Sequence, residues 1–165
     1  MELMDRNKIT VNLNRIVNKK LSYFRRSLDL VCIGFGDLTL EYDRHNNKCF
    51  VGEYALHIQC PFRVIKNDEI VLNSNDIYLS PEQDGIANLD DQNSCLFDFK
   101  AKALELDNEV VTGVCLNDNN DLFVFTQNYL IQVFVISNEC EAWRFFEIKS
   151  DEPHIIVDED GLSFD

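Results

Sequence analysis

The sequence predicts an α+β fold, in which a curved antiparallel β-meander packs against an N-terminal amphipathic helix and a second helix is inserted near residues 94–106. Apolar residues recur at helical spacing near the N-terminus, and they alternate with polar residues in most later segments. Short polar turns separate these segments. Because 165 residues with 45% hydrophobic content can bury one core, we expect residues 1–165 to form a single domain.

The first predicted element is a helix of about 12–16 residues whose apolar positions recur every three or four residues. These positions are Ile9, Leu13, Ile16, Val17, Leu21 and Phe24. We expect Asn7 or Thr10 to cap the helix. Its polar positions are rich in lysine and arginine, and we expect that face to be solvated or to lie against acidic surface of the same molecule.

Strand signals follow in close order after this helix. The predicted strands are residues 30–35, 38–42, 53–65, 70–72, 110–116, 122–126, 129–136, 142–148 and 154–157. Short turns of Asn, Asp, Ser and Gly join most of them, which favours hairpin connections between antiparallel neighbours. We expect the N-terminal helix to cover one face of this sheet.

The strand predicted at 53–65 carries two distinct rows of side chains. Its even positions, from Tyr54 to Val64, are apolar, and its polar row consists of Glu53, His57, Gln59 and Arg63. The polar row is either the solvent face of a half-buried strand or a surface that binds a partner. Pro61 cannot donate to a β-ladder, so we expect a kink or a sheet edge at that residue.

The charge of the chain is large and unevenly distributed. The net charge is −14, and residues 68–121 hold thirteen acidic and two basic groups, whereas residues 1–30 hold three acidic and seven basic groups. Such a field repels nucleic acid and anionic membranes and attracts cationic proteins. We therefore expect a protein partner, no nucleic acid and no membrane. No apolar run spans a bilayer and no signal peptide is recognisable, which favours a cytoplasmic location. The oligomeric state is left open.

Residue spacing gives no support for a metal, a cofactor or a catalytic centre. His57 and Cys60 are three apart and point to opposite faces of a strand, and His45 with Cys49 supplies only two ligands. Motifs of the GxSxG, P-loop and GxGxxG types are missing. The six cysteines are scattered, and we expect them to be reduced, buried thiols. The sequence therefore predicts a protein without cofactor or metal that is not an enzyme.

Two segments resemble a family of small, uncharacterised bacterial proteins. They are GEYALHIQCPFR at 52–63 and AWRFFEIKSDEPHIIV at 142–157. The family pairs a GEYALHxQCPWR-like segment with a WRxF…SDEPHxVV-like segment, and Phe62 stands where that pattern has Trp. The resemblance implies a shared fold and a bacterial source but no reaction. It also implies that certain residues matter to the fold or its partner, namely His57, Gln59, Arg63, Trp143, Arg144 and His154.

The sequence favours a binding or inhibitory module, and our hypothesis is an immunity protein that neutralises a basic toxin by direct contact. The carboxylates expected to make this contact are Glu82, Asp84, Asp90, Asp91, Asp98, Asp118 and Asp121. The alternative is a small-ligand-binding protein or enzyme whose pocket is lined by His57, Arg63 and Arg144, with Glu53 and Gln59 from the same polar row. A structural subunit without a soluble ligand is a third interpretation.

Overall fold

A computed structural model describes residues 3–43, 45–77 and 99–165. The described residues form mostly antiparallel β-structure with two short helices. Helix α1 (Leu3–Leu13) continues into a 3-10 turn, Asn14–Ile16, and the described part of helix α2 is residues 99–104. The predicted mixed α and β content with an N-terminal helix is therefore confirmed. Of the second predicted helix, residues 94–98 lie outside the described part of the chain.

The described residues contain thirteen strands. They are β1 (Leu21–Ser27), β2 (Leu30–Phe35), β3 (Thr39–Tyr42), β4 (Lys48–Val51), β5 (Tyr54–Ile58), β6 (Phe62–Lys66), β7 (Glu69–Asn73), β8 (Val111–Leu116), β9 (Leu122–Thr126), β10 (Leu130–Val133), β11 (Trp143–Glu147), β12 (Ile155–Asp158) and β13 (Gly161–Phe164). No helix in these parts of the chain is long and apolar enough to cross a membrane.

The strands form two larger sheets and a separate hairpin. Among the described residues, one sheet has six strands in the order β1-β2-β5-β11-β12-β13 and the other has five in the order β7-β6-β10-β9-β8, while β3 and β4 form a separate pair. Both larger sheets contribute to one hydrophobic core, which also includes Ile9 and Leu13 of α1. The pairs β2–β5 and β5–β11 are not consecutive in the chain, so the strand order departs from a simple meander.

The first helix ends earlier in the chain than the apolar spacing predicts, because Leu21 and Phe24 lie in β1. Asn18 has a φ of 68°, in the left-handed region, where a helix cannot continue. A bulge between Leu21 and Tyr23 places Leu21 and Phe24 on the same buried face of β1. Because these two residues are three apart, their spacing resembles that of a helix. Thr10 is not a cap, because its hydroxyl donates to the Arg6 carbonyl within the helix.

The strand predicted at 53–65 is interrupted at Pro61, as expected. Strand β5 belongs to the six-stranded sheet and β6 to the five-stranded sheet, so residues 59–61 carry the chain from one sheet to the other. The Pro61 carbonyl accepts a hydrogen bond from the Phe134 amide at 2.9 Å. Both strands bury their apolar even positions, including Leu56 and Val64, so one alternating pattern supplies both sheets.

Candidate functional site

The polar row of the predicted strand is divided between the two sheets. His57 lies in β5, directly opposite Cys32 of β2 and Arg144 of β11. Its neighbours Leu56 and Ile58 are buried in the core, so His57 points to the outer face of the six-stranded sheet. Gln59 follows the strand and continues the ladder, since its amide donates to the Ala142 carbonyl at 2.8 Å.

A network of polar and aromatic side chains surrounds Arg144 on this outer face. We call it the sheet-face cluster, and its members are His57, Gln59, Glu141, Arg144, Phe146, His154 and Asp165. Arg144 donates through Nε and Nη2 to the two carboxylate oxygens of Glu141 at 3.1 and 2.8 Å. Its Nη1 lies 3.1 Å from His154 Nδ1 and 3.4 Å from an Asp165 carboxylate oxygen.

Aromatic contacts complete the sheet-face cluster. Phe146 stacks on His154 with ring centroids 4.5 Å apart, and the His57 ring meets Phe146 edge-on at 5.0 Å. Burial lowers the pKa of His57, so its imidazole stays neutral down to a lower pH than the imidazole of an exposed histidine. The hydrogen bonds from Arg144 lower the pKa of Glu141, so that carboxylate stays ionised.

The sheet-face cluster is a satisfied hydrogen-bond network. Gln59 Nε2 also donates to Glu141, at 3.3 Å, so both oxygens of this carboxylate are already engaged. Three hydrogen bonds occupy most of the lone-pair positions of Glu141, and those from Arg144 lower its pKa, which makes this carboxylate a weak general base. This geometry argues against Glu141 as a general base.

Arg63 and Glu53 lie apart from this cluster. Arg63 is in β6 of the five-stranded sheet, where its Nε donates to Gln132 Oε1 at 2.5 Å and its guanidinium lies over the Phe134 ring. Glu53 pairs with Lys19 and accepts the Asp37 amide at 3.0 Å. The structure therefore brings His57, Gln59 and Arg144 together but leaves Arg63 and Glu53 elsewhere, so the five residues do not line one pocket.

The predicted acidic contact residues are only partly described. Glu82, Asp84, Asp90, Asp91 and Asp98 lie outside the described residues. Asp118 is exposed in the β8–β9 turn. Asp121 ends that turn, and its carboxylate accepts from the Val135 amide at 2.8 Å and from Asn117 Nδ2 at 2.9 Å. Asp121 therefore holds the turn in place.

Three acidic turns meet at one end of the molecule, which we call the acidic end. Its carboxylates are Asp118, Asp121, Glu139, Glu141, Asp158, Glu159 and Asp160. Trp143 joins the turns, because its indole Nε1 donates to the Asn120 carbonyl at 3.0 Å and its backbone pairs with Val157. Residues 117–121, 137–141 and 158–160 contain no lysine or arginine.

Two arginines contact the acidic end from other elements. Arg6 of α1 donates to the Asn117 carbonyl and to Asn120 Oδ1, and Arg144 is held by Glu141. Sequence reasoning missed this assembly because its members are separated by up to about 40 residues and meet only through strand pairing. Alternation around Trp143 does place the indole in the core, but it does not identify Asn120 as the acceptor.

The thiols differ in their exposure. All five described cysteines are free; Cys32 and Cys60 are half-buried, whereas Cys115 and Cys140 are exposed, so the expectation of uniformly buried thiols is wrong for the last two. Burial raises the pKa of Cys32 to about 11 and that of Cys60 to about 12, which makes both poor nucleophiles at neutral pH. Within the described ranges, no three His, Cys, Asp or Glu side chains are arranged to hold a metal ion.

Comparison with known proteins gives no assignment: no protein-family model, curated protein or solved structure matches this chain.

Proposed function

We propose that the protein is a cytoplasmic inhibitor of the immunity type, which binds a basic toxin domain through its acidic end. The observation that carries this proposal is the meeting of turns 117–121, 137–141 and 158–160 at one end of the molecule, without a lysine or arginine in any of them. In a chain of net charge −14, this arrangement concentrates negative potential on a defined surface.

The electrostatic consequence is fast and selective encounter with a cationic protein. Opposite potentials raise association rates by one to three orders of magnitude, and salt screens this effect over a Debye length of roughly 8 Å at physiological ionic strength. Toxins that act on nucleic acid carry cationic active sites, since they must hold a phosphate backbone. A carboxylate surface that covers such a site would exclude the substrate by occupying the same cations.

The structural framework suits this role because the acidic end is held by core contacts. Trp143 is fully buried, and it fixes the position of turn 117–121 relative to β12. A preorganised surface binds more tightly than a mobile one, because less conformational entropy is lost on association. The contact carboxylates proposed from the structure are the exposed Asp118, Glu139, Glu159 and Asp160.

The first test is protection in cells. The product of the gene beside the one for this chain is expressed with and without the chain, and the proposal predicts that growth arrest by that product is relieved only by coexpression. Unrelieved arrest, or a neighbouring product that is acidic and harmless, would contradict the immunity role.

The second test locates the surface by neutralising carboxylates in matched pairs. The double variant Glu159→Gln with Asp160→Asn removes two charges from the acidic end. The control, Asp68→Asn with Glu69→Gln, removes two charges where β6 turns into β7, away from the acidic end. The first variant should slow association with the basic partner by about fivefold at low salt and the control by less than about twofold. Equal slowing would show that net charge alone acts.

A further inference from the structure

A groove runs along the edge strand of the six-stranded sheet. Strand β1 is the first strand of that sheet, and five consecutive residues of it, 22–26, line a groove of about 510 Å³. The other walls come from the β3–β4 hairpin, through Leu38 and Phe50, and from residues 99–107. A groove between an edge strand and a helix is a common place for an extended peptide to add to a sheet.

The backbone of β1 presents hydrogen-bonding groups to this groove. Ser27 and Leu30 flank a two-residue turn and form a hydrogen-bonded pair. Hydrogen-bonded pairs alternate with non-hydrogen-bonded pairs along an antiparallel ladder. Phe24 lies three residues before Ser27 and therefore belongs to a non-hydrogen-bonded pair, so its amide and carbonyl point away from β2, towards the groove. The start of the same edge is already paired: Leu21 donates to the Glu109 carbonyl at 2.7 Å and accepts from the Asn108 amide at 2.8 Å. Beyond Leu21, no strand in the described part of the chain pairs with this edge of β1, so it can accept a neighbouring strand.

The side chains in the groove combine apolar surface with positive charge. Leu38, Phe50 and Leu104 are 49%, 51% and 61% exposed, which is high for large apolar residues. Among the described residues, the charged members of the lining are Arg25, Arg26, Lys100 and Asp107. The three cations in this described part of the lining outnumber its one carboxylate, which is unusual in a chain of net charge −14 and favours an acidic ligand.

We propose that this groove binds an extended acidic peptide, which adds to β1 as a further strand. Backbone hydrogen bonds to Phe24 hold the peptide, its carboxylates lie near Arg25 and Lys100, and its apolar side chains contact Leu38, Phe50 and Leu104. The site is distinct from the acidic end and does not depend on the proposed function.

The test uses a blocked five-residue peptide of alternating glutamate and leucine, titrated into the full chain. Amide hydrogen exchange at Phe24 should slow by about tenfold at saturation, because the peptide carbonyl would accept this amide. The Arg25 amide faces Cys32 on β2 and should not change. A peptide with lysine in place of glutamate, and an acidic peptide methylated on its backbone nitrogens, should both fail to protect Phe24.

A matched pair of charge reversals tests the cationic rim. Lys100→Glu should weaken binding of the acidic peptide roughly fivefold, and Lys8→Glu, on α1, should leave it unchanged. The proposal is overturned if the Phe24 amide does not respond to the peptide, or if the lysine peptide binds equally well. It is also overturned if Phe24 is already protected without peptide, since another part of this chain would then occupy the groove.

Discussion

At the residue scale, Trp143 connects the core to the surface that we propose as functional. It is fully buried, pairs with Ile58 and Val157 on either side, and donates to the carbonyl of Asn120. Asn120 has a φ of 65°, so its turn adopts a conformation that needs support from neighbouring groups. This side chain thus links the start of β11 to the turn between β8 and β9.

Replacement of this indole should therefore be costly. Trp143→Phe removes the hydrogen bond to Asn120 and leaves a cavity, and we expect the free energy of unfolding to fall by about 2–3 kcal/mol in urea titrations. Phe125→Leu serves as the control, since Phe125 is 40% exposed, and it should change stability by less than about 0.5 kcal/mol. Similar losses in both variants would contradict the role given to Trp143.

His57 should make stability depend on pH. Burial lowers its pKa in the folded chain below the ordinary value of 6.5, so the unfolded chain binds the proton more readily. This contribution to the free energy of unfolding is complete above pH 6.5, falls as the pH drops below that value, and is lost once the pH passes the folded-state pKa. Urea titrations of the wild type and His57→Gln between neutral pH and about pH 5.5 should show a smaller decrease in the variant. Equal decreases would place the effect on other groups.

At the element scale, alternation in the sequence located most of the strands. Strands β2 and β9 have the predicted bounds. The bounds of β5 through β8 and of β10 through β12 differ from the predicted bounds by no more than a few residues. Pro61 correctly marked the break between β5 and β6. Strand β1 was read as helix because its bulge gives Leu21 and Phe24 a spacing of three, and β4 and β13 were missed because they are short and follow acidic or Asn-rich turns.

The sheet order and the site depended on information that alternation does not contain. A period of two says which residues share a face, but not that β5 pairs with both β2 and β11. The resemblance named six residues, namely His57, Gln59, Arg63, Trp143, Arg144 and His154. In the structure, His57, Gln59, Arg144 and His154 belong to the sheet-face cluster, whereas Trp143 is buried in the core. Arg63 shares their strand pattern but not their sheet, because the chain crosses between sheets at residues 59–61.

The turn after β2 offers a test of local packing. Gly36 has a φ of 89°, and a Cβ there would lie 2.7 Å from the Glu53 side chain, whereas Gly161 has a φ of 93° and open space around it. Both Gly→Ala variants impose backbone strain of about 1 kcal/mol, and Gly36→Ala should cost roughly 1 kcal/mol more because Glu53 must move from Lys19. Equal melting temperatures for the two variants would show that Glu53 yields without cost.

At the scale of the whole molecule, the charge is separated by the fold. Some basic residues of the N-terminal segment form ion pairs inside the molecule: Arg15 binds Glu147 at 2.6 Å and Glu152 at 2.7 Å, and Lys19 pairs with Glu53. The expectation that this basic face lies against acidic surface of the same chain is therefore confirmed for Arg15. The turns at the acidic end do not take part in the ion pairs of Arg15, and they contain exposed carboxylates such as Asp118 and Glu159.

This separation predicts how binding should respond to salt. If the acidic end makes the contact, the association rate with a basic partner should fall steeply between about 50 and 500 mM salt, while the dissociation rate changes little. The Glu159→Gln and Asp160→Asn pair should flatten that dependence, and the Asp68→Asn and Glu69→Gln pair should not. Stopped-flow fluorescence measures both rates, and all three proteins keep Trp143. If the wild type and the two double variants show the same salt dependence of the association rate, this would argue against a localised surface.

The most direct measurement is the hydrogen-exchange footprint of the complex with the basic protein that we propose as the partner of this chain. We predict slower exchange in turns 117–121, 137–141 and 158–160 on binding, with no change in the turn at 67–68. Protection centred on β6 and β7, with the three acidic turns exchanging as fast as in the isolated protein, would contradict the assignment of the acidic end as the inhibitory surface.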